Sequence, residues 1–163
     1  VGVRQHLARD PALREEGEEG GAKGRVPGVE IDLAFELPRG PMPAAIDREM
    51  LHRVLGNVIQ NAAQALRDDP RKRGKPGRVR VSAEAEADRY LIFIDDDGPG
   101  IPAEMRDSVF DPYVTTKRDG TGLGLYICKQ LLGANQGSIE YVNVPGGGSC
   151  FRIQLAGPQR DLA

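Results

Sequence analysis

Apolar and polar residues alternate strictly over residues 29–37, where Val, Ile, Leu, Phe and Leu occupy every second position. This period of two is typical of a half-buried β-strand, which Pro38 would end. From Asp47 to about Arg67 the period changes, because apolar residues recur every three or four positions. The change predicts a long amphipathic helix that begins at an Asp47 N-cap and packs on a sheet.

The rest of the chain predicts more strands and two more helices. Four strands are expected from apolar runs bounded by turn residues, over residues 78–86, 90–95, 137–142 and 149–155. Pro102 favours a short helix that runs to about Val109, and residues 110–120 predict a loop. A helical pattern then covers residues 123–132, with Gly133 as its expected C-cap.

The two ends of the chain lack a pattern that would form a core. The 163 residues suit one domain, and the patterned region places it at residues 29–155. Residues 1–28 are rich in Gly, Glu, Arg and Pro, so we expect a flexible linker or the remnant of an upstream segment. Residues 156–163 predict a disordered tail.

The charge and the cysteine content limit the classes of partner and of metal site that the chain is expected to have. Lys and Arg number 22 against 24 Asp and Glu, which leaves a net charge of -2 and no field that would steer the chain to nucleic acid. The basic run at residues 71–75 predicts a solvated loop, or alternatively a partner or phosphate contact. Cys128 and Cys150 fit small core residues rather than a disulfide or metal site. We expect a cytoplasmic location, alone or as the cytoplasmic part of a membrane protein.

Two asparagines on the long helix are the first candidates for chemistry. Asn57 and Asn61 lie one turn apart beside the apolar stripe. Half-buried amides often satisfy backbone groups, which is the structural alternative. An amide oxygen is also a suitable ligand for a Mg²⁺ ion that keeps waters and bridges phosphates.

A second candidate is the run Asp-Asp-Gly-Pro-Gly at residues 96–100, which closes an apolar strand. A carboxylate there can accept a hydrogen bond from an exocyclic amine such as that of adenine, and the glycines admit close approach of a ligand. The alternative is an acid-rich turn whose Asp side chains cap their own backbone.

The third candidate is a glycine-led helix, introduced by Gly-Thr-Gly-Leu-Gly at residues 120–124. Free amide N–H groups at a helix N-terminus favour phosphate, although a flexible loop is the alternative. The run is neither a dinucleotide fingerprint nor a P-loop. Before it, residues 115–118 carry hydroxyls and cations that could close over a nucleotide, with Phe110 and Tyr113 as anchors, or form a solvated loop.

Together, residues 55–62, 96–101, 110–117 and 120–125 resemble, in that order, the N, G1, F and G2 boxes of the catalytic ATP-binding domain of bacterial sensor histidine kinases. The Thr-Thr-Lys lid and the Gln after Asn-Ala-Ala look closest to the nitrogen-regulatory members. The resemblance covers residues 29–155. It implies an α+β fold, a two-layer α/β sandwich of the Bergerat ATP-binding type, with a mixed, mostly antiparallel sheet and helices on one face.

The resemblance also implies roles for individual residues. Asn61 would coordinate Mg²⁺, Asn57 would support the metal and phosphate end, and Asp96 would bind the adenine amine of ATP. Asn57, Asn61 and Lys117 would be the catalytic residues. The nucleotide contacts implied are Asn57, Asn61, Asp96, Gly98, Gly100, Ile101, Thr116, Lys117, Gly120, Gly122, Leu123, Gly124 and Leu125.

Two positions depart from the family pattern. Asp97 replaces the usual Asn, and its side chain is expected to face away from adenine. Gln64 stands where some sensor kinases carry a basic residue, so the cation that faces the phosphates would come from Lys117 or Arg118.

The implied activity is transfer of the ATP γ-phosphate to a histidine on a separate dimerisation domain of the same protein, with a response regulator acting indirectly. His6 lacks the acidic residue that follows the family's phosphoacceptor histidine, and the chain itself is expected to be monomeric. The alternatives are a degenerate nucleotide-binding regulatory module and a hydrolytic ATPase. Asn57 argues against the latter, because hydrolytic members of the superfamily use a Glu there.

Overall fold

The computed structural model describes residues 17–26, 29–44, 46–72, 74–117 and 120–157. Short 3₁₀ helices cover Pro70–Lys72 and Ala103–Ser108. The longer elements are β1 (Gly17–Val26), β2 (Val29–Pro38), α1 (Arg48–Asp68), β3 (Gly77–Ala85), β4 (Arg89–Asp96), α2 (Gly124–Ala134), β5 (Ser138–Asn143) and β6 (Ser149–Ala156).

The strands form one six-stranded sheet in the order β1-β2-β3-β4-β6-β5. β2 and β3 pair in parallel across the α1 crossover, and the other described pairs are antiparallel. Both α-helices pack on one face, where alternate strand residues join them in a single core. The predicted two-layer α+β fold is therefore confirmed.

The core joins the helices to the central strands. Val58 and Leu66 of α1 and Leu132 of α2 are fully buried against strand residues such as Ile94 and Ile153. Each such side chain stabilises the fold by about 1.5–3 kcal/mol. The opposite face of the sheet carries a smaller cluster of buried residues, namely Leu91, Phe93, Val142 and Cys150. Neither described α-helix has the length and apolar character needed to span a bilayer.

Of the two predicted helix caps, the N-cap of α1 is confirmed and the C-cap of α2 is not. The Asp47 carboxylate accepts a hydrogen bond from the Met50 amide at 2.7 Å, which confirms the N-cap of α1. The expected Gly133 C-cap of α2 is wrong, because the helix continues to Ala134 and Asn135 is its C-cap. The left-handed turn falls on Gln136, at φ 57°, so a non-glycine residue ends this helix where Gly is usual.

The prediction for the ends of the domain also differs from the structure. Residues 17–26 lie in β1, which pairs along its length with β2, rather than in a linker. The linker prediction rested on the lack of apolar side chains, whereas an edge strand is held by backbone hydrogen bonds that glycine can also make. β6 includes Ala156, and the Gly157 amide donates to the Asp88 carbonyl at 2.9 Å. The remainder of both predicted ends, including His6, lies outside the described residues.

Candidate functional site

A cavity of about 350 Å³ lies between α1, the N-terminus of α2, the ends of β4 and β6, and the segment that joins β4 to α2. Most of the predicted site residues line it, which places the motifs of four separate segments around one space. Gly98 and Leu123 do not line it. The predicted residues that do are Asn57, Asn61, Asp96, Gly100, Ile101, Thr116, Lys117, Gly120, Gly122, Gly124 and Leu125.

Asp96 supplies a buried acceptor at one end of the cavity. Its carboxylate accepts a hydrogen bond from the Gly98 amide at 2.9 Å, and Ser149 also hydrogen-bonds to it. Burial raises the pKa of Asp96 to about 6, against the lowering effect of those hydrogen bonds. At neutral pH the group is ionised, so an oxygen of the cavity wall can accept a hydrogen from an exocyclic amine.

Glycines allow the backbone to close around this carboxylate. Gly148 has φ 91°, and a Cβ there would overlap the Asp96 carbonyl oxygen. Gly100 has φ 77°, and its Cβ would lie 2.9 Å from the Gly148 carbonyl oxygen. Both positions combine the left-handed region with a close approach, which only glycine accommodates.

Sequence reasoning missed Gly148 and the buried Ser149, which lines the cavity. The available signal was the run of three glycines followed by Ser at the start of a strand, which is more than a hairpin connection needs. Only the pairing of β4 with β6, which sets Asp96 opposite Ser149, reveals their place at the site.

Asp97 faces away from the cavity, as expected. Its carboxylate accepts hydrogen bonds from the Lys72 ammonium at 2.5 Å and the Arg78 amide at 2.8 Å. The basic run is therefore tied partly to the domain itself, since Arg71 also pairs with the buried Asp69 at 2.7 Å. None of these three contacts involves a residue that lines the cavity.

Apolar side chains form part of the cavity wall. Ile101, Met105 and Val109 line it from the segment after β4, and Phe151 lines it from β6. Phe110 packs edge-on against Phe151, with ring centroids 6.2 Å apart, and so anchors the segment.

The predicted second anchor, Tyr113, is wrong, because its side chain is 77% exposed. The Tyr113 backbone has φ 67°, and its amide donates to the Gly122 carbonyl at 2.9 Å. The backbone conformation therefore turns the side chain outward, which an apolar pattern alone does not reveal.

The opposite end of the cavity holds a cation supplied by the protein. The Lys117 ammonium donates to the side-chain oxygens of Asn61 at 2.8 Å and Gln64 at 2.5 Å. Burial lowers the pKa of Lys117. Two amide oxygens converging on one cation are a donor set that also suits a hard metal ion. No cluster of three His, Cys, Asp or Glu side chains occurs among the described residues, so a metal here would need water and phosphate ligands as well.

Asn57 lies one turn from Asn61 but uses its amide differently. Its Nδ2 donates to the thiol of Cys128 on α2 at 3.7 Å, and that thiol donates to the Val54 carbonyl at 3.8 Å. Burial raises the pKa of the Cys128 thiol. The expectation that both cysteines are small core residues is confirmed, since Cys128 and Cys150 are free and buried.

Beside Asn61, the start of the glycine-led helix lines the cavity. Gly122 has φ 66°, and a Cβ there would lie 2.5 Å from the Tyr113 carbonyl carbon. α2 begins at Gly124 without a side-chain cap, and the Asn61 amide nitrogen lies 4.0 Å from a Cβ built at Gly124. The first N–H groups of α2 are left for a ligand, and anions suit that position. Arg118, the other candidate cation, lies outside the described residues.

Comparison with known proteins shows the family to which the chain belongs. Residues 46–159 match the family described as histidine kinase-, DNA gyrase B-, and HSP90-like ATPase. The sensor protein kinase PilS of Pseudomonas aeruginosa is 38% identical over 130 residues, which cover 78% of this chain and 24% of PilS. The nitrogen regulation protein NtrY of Azorhizobium caulinodans is 39% identical over 132 residues, 80% of this chain and 17% of NtrY. The chain thus spans about a quarter or less of these relatives.

Solved structures show the same fold. The catalytic domain of histidine kinase ThkA superposes with a TM-score of 0.64 at 28% identity, covering 76% of each chain. Full-length ShkA in complex with AMPPNP superposes with a TM-score of 0.61 at 27% identity, covering 77% of this chain and 26% of that one. The chain therefore belongs to the histidine kinase-, DNA gyrase B-, and HSP90-like ATPase family, and the matched residues 46–159 are an ATP-binding catalytic domain of the sensor histidine kinase type.

Proposed function

We propose that this domain is a protein-histidine kinase module that presents the γ-phosphate of Mg-ATP to a histidine on a separate domain of the same protein. The observation that carries the proposal is one cavity with a buried carboxylate, Asp96, at one end and the Asn61 amide oxygen at the other. The glycine-led start of α2 also lines the cavity, and a Cβ built at Gly124 would lie 4.0 Å from the Asn61 amide nitrogen. An acceptor for the base and a helix start beside Asn61 for the phosphates match the two parts of ATP.

The proposed base contact is made by Asp96, whose carboxylate accepts the exocyclic amine of adenine. Gly98 and Ser149 hold the carboxylate in place, and Ile101 and Met105 supply an apolar wall for the ring. Gly100 lets the chain pass close to Gly148. Guanine carries a carbonyl oxygen where adenine carries the amine, so it would set two acceptors against each other.

The residues at the other end fit a magnesium ion. Asn61 would hold it by the oxygen that now accepts from Lys117, with waters and phosphate oxygens as the remaining ligands. When bound, Mg²⁺ supplies charge neutralisation on the phosphates. Lys117, once it leaves Asn61, pairs with the terminal phosphate, and Thr116 and the first amides of α2 donate to phosphate oxygens.

Transfer to histidine is favoured over hydrolysis by the lack of a base. Asp96 is the one carboxylate among the described residues that line the cavity, and it serves the adenine end. Asn57 cannot take a proton from water, since an amide is not basic. Positioning and charge neutralisation are sufficient where the attacking group is itself a nucleophilic imidazole.

The acceptor histidine belongs, in this proposal, to a histidine-containing dimerisation domain. His52 is exposed on α1, and the cavity lining contains no histidine among the described residues. A response regulator would then receive the phosphoryl group from the acceptor. We further propose that the domain is monomeric, works in the cytoplasm and has no nucleic-acid partner.

The test mixes the chain with Mg-ATP labelled at the γ-phosphate and a separately produced histidine hairpin of the same protein. We expect acid-labile phosphohistidine on the hairpin, and none on a hairpin whose acceptor His is replaced by Gln. ATP binding without label would refute the kinase and favour a regulatory nucleotide-binding module. Steady phosphate release in the absence of the hairpin would favour a hydrolytic ATPase.

A further inference from the structure

Cys128 forms a link between the two helices at the phosphate end of the cavity. It is fully buried on α2, where its sulfur accepts from Asn57 Nδ2 at 3.7 Å and its thiol faces the Val54 carbonyl at 3.8 Å. Val54 and Asn57 lie on the same face of α1, one turn apart. A single sulfur atom thus contacts both the backbone of α1 and the side chain that the proposed function places beside metal and phosphates.

The direction of these contacts decides which atom of Asn57 faces the cavity. The thiol has one hydrogen, and the Val54 carbonyl takes it. With that hydrogen on Val54, the sulfur accepts from Asn57, and the amide nitrogen points toward Cys128. If the amide were turned over, its oxygen would compete with the Val54 carbonyl for the one thiol hydrogen. The Nδ2 contact turns Asn57 Oδ1 away from Cys128, and Asn57 lines the cavity.

We infer that Cys128 is a positioning residue for Asn57: it fixes the side-chain amide so that its oxygen, not its nitrogen, faces the metal and phosphate end. The inference rests on the proposed function. An oxygen there attracts Mg²⁺ and its bound waters, whereas the NH₂ group would repel the metal. Cys128 does not touch the nucleotide itself and acts only through Asn57.

The chain offers a matched control in its second buried cysteine. Cys150 is 1% exposed in the cluster on the opposite face of the sheet, and it does not line the cavity. Replacing either cysteine with Ala removes one buried sulfur and leaves a comparable small gap. Only the change at position 128 removes an acceptor from Asn57.

The test measures ATP affinity with and without Mg²⁺ by calorimetry. Loss of one hydrogen bond predicts that Cys128→Ala weakens Mg-ATP binding roughly two- to tenfold, with little change when metal is chelated. Cys128→Ser restores an acceptor in a side chain of nearly the same size as Ala, and should recover most of the loss. Cys150→Ala should leave both affinities unchanged.

A double-mutant cycle separates positioning from packing. In an Asn57→Ala background, Cys128→Ala should have no further effect on Mg-ATP binding, since no amide remains to be oriented. Should Cys128→Ala unfold, Cys128→Val, which keeps an apolar side chain of similar size, removes the same acceptor.

Equal Mg-ATP affinity of the Cys128 variants and Cys150→Ala would overturn the inference and leave the proposed function standing. A wild-type chain that binds no Mg-ATP would overturn both.

Discussion

The two ends of the cavity are built in different ways. Around Asp96, the acceptor is fixed by β4, β6 and two glycines in left-handed conformations, so recognition is set by the backbone. At the other end, Asn61 and Gln64 hold the ammonium of Lys117 through long side chains. The proposed base pocket is therefore prepared before ligand arrives, whereas the proposed phosphate pocket contains a protein cation, Lys117, that nucleotide and metal would displace.

The adenine end predicts the largest loss of affinity. Asp96→Asn replaces a charged acceptor while keeping an oxygen for Gly98 and Ser149, so the domain should remain folded. Hydrogen bonds to charged groups are worth about 1.5–3 kcal/mol, which corresponds to roughly a ten- to hundredfold weaker affinity for ATP. Fluorescent-nucleotide titration measures the affinity, and thermal unfolding checks the fold.

Asp97→Asn is the matched control, because Asp97 points to Lys72 and Arg78 instead of the cavity. It should leave ATP affinity unchanged. Equal affinity of wild type and Asp96→Asn would show that adenine is not bound by this carboxylate.

The backbone at the adenine end can be tested by adding one methyl group. Gly148→Ala forces a left-handed φ and a clash with the Asp96 carbonyl, and such strain costs about 1–3 kcal/mol of unfolding free energy. It should also weaken ATP binding by displacing Asp96. Gly146→Ala has a similar φ, 94°, with open space around it, and should lower stability less without changing affinity. If both variants behave alike, the close packing of β6 on Asp96 is not needed for binding.

The phosphate end predicts a loss that depends on metal. Asn61→Ala removes the oxygen proposed to bind Mg²⁺, so the gain in ATP affinity on adding Mg²⁺ should fall by about tenfold. Affinity measured in chelator should change little. The exposed Gln130 of α2, which does not line the cavity, provides the control as Gln130→Ala. An equal loss with and without metal would mark Asn61 as a structural residue.

Changing the pH gives the smallest expected effect on ATP affinity, and it again distinguishes the two ends of the cavity. Burial raises the pKa of Asp96 to about 6 in the free domain, and accepting the adenine amine favours the ionised form. Affinity should therefore be full above that pH and fall as the pH decreases through it, by up to about tenfold at pH 5. Titrating Asp96→Asn in parallel measures the contribution of ATP's own phosphates. A pH dependence shared by wild type and variant would rule out titration of Asp96 as its cause.

The difference between the two ends of the cavity also explains which parts of the fold and of the candidate site the sequence could predict. Periodicity located α1, its Asp47 cap and the central strands, because those elements bury side chains in a regular order. The asparagine pair and the 96–100 turn, both singled out by their spacing, contribute residues that line the same cavity. Ser149 was missed because it reaches Asp96 through strand pairing between distant segments.

Composition was also a poor predictor of structure where backbone hydrogen bonds or backbone dihedral angles determine it. β1 is rich in glycine and pairs by its main chain, and Tyr113 is turned outward by a left-handed backbone. The contacts of Lys117 with Asn61 and Gln64 join residues more than fifty positions apart. No local pattern contains such information.

The most direct test of the account is the distance from Lys117 Nζ to Asn61 Oδ1 in a crystal structure with Mg²⁺ and a non-hydrolysable ATP analogue. The distance is 2.8 Å without ligand. With Mg²⁺ and the analogue bound, we expect the contact between Lys117 and Asn61 to break and a metal ion to bind the Asn61 oxygen. The adenine amine should lie against Asp96. An intact contact between Lys117 and Asn61 in the presence of bound nucleotide, with the metal elsewhere, would contradict it.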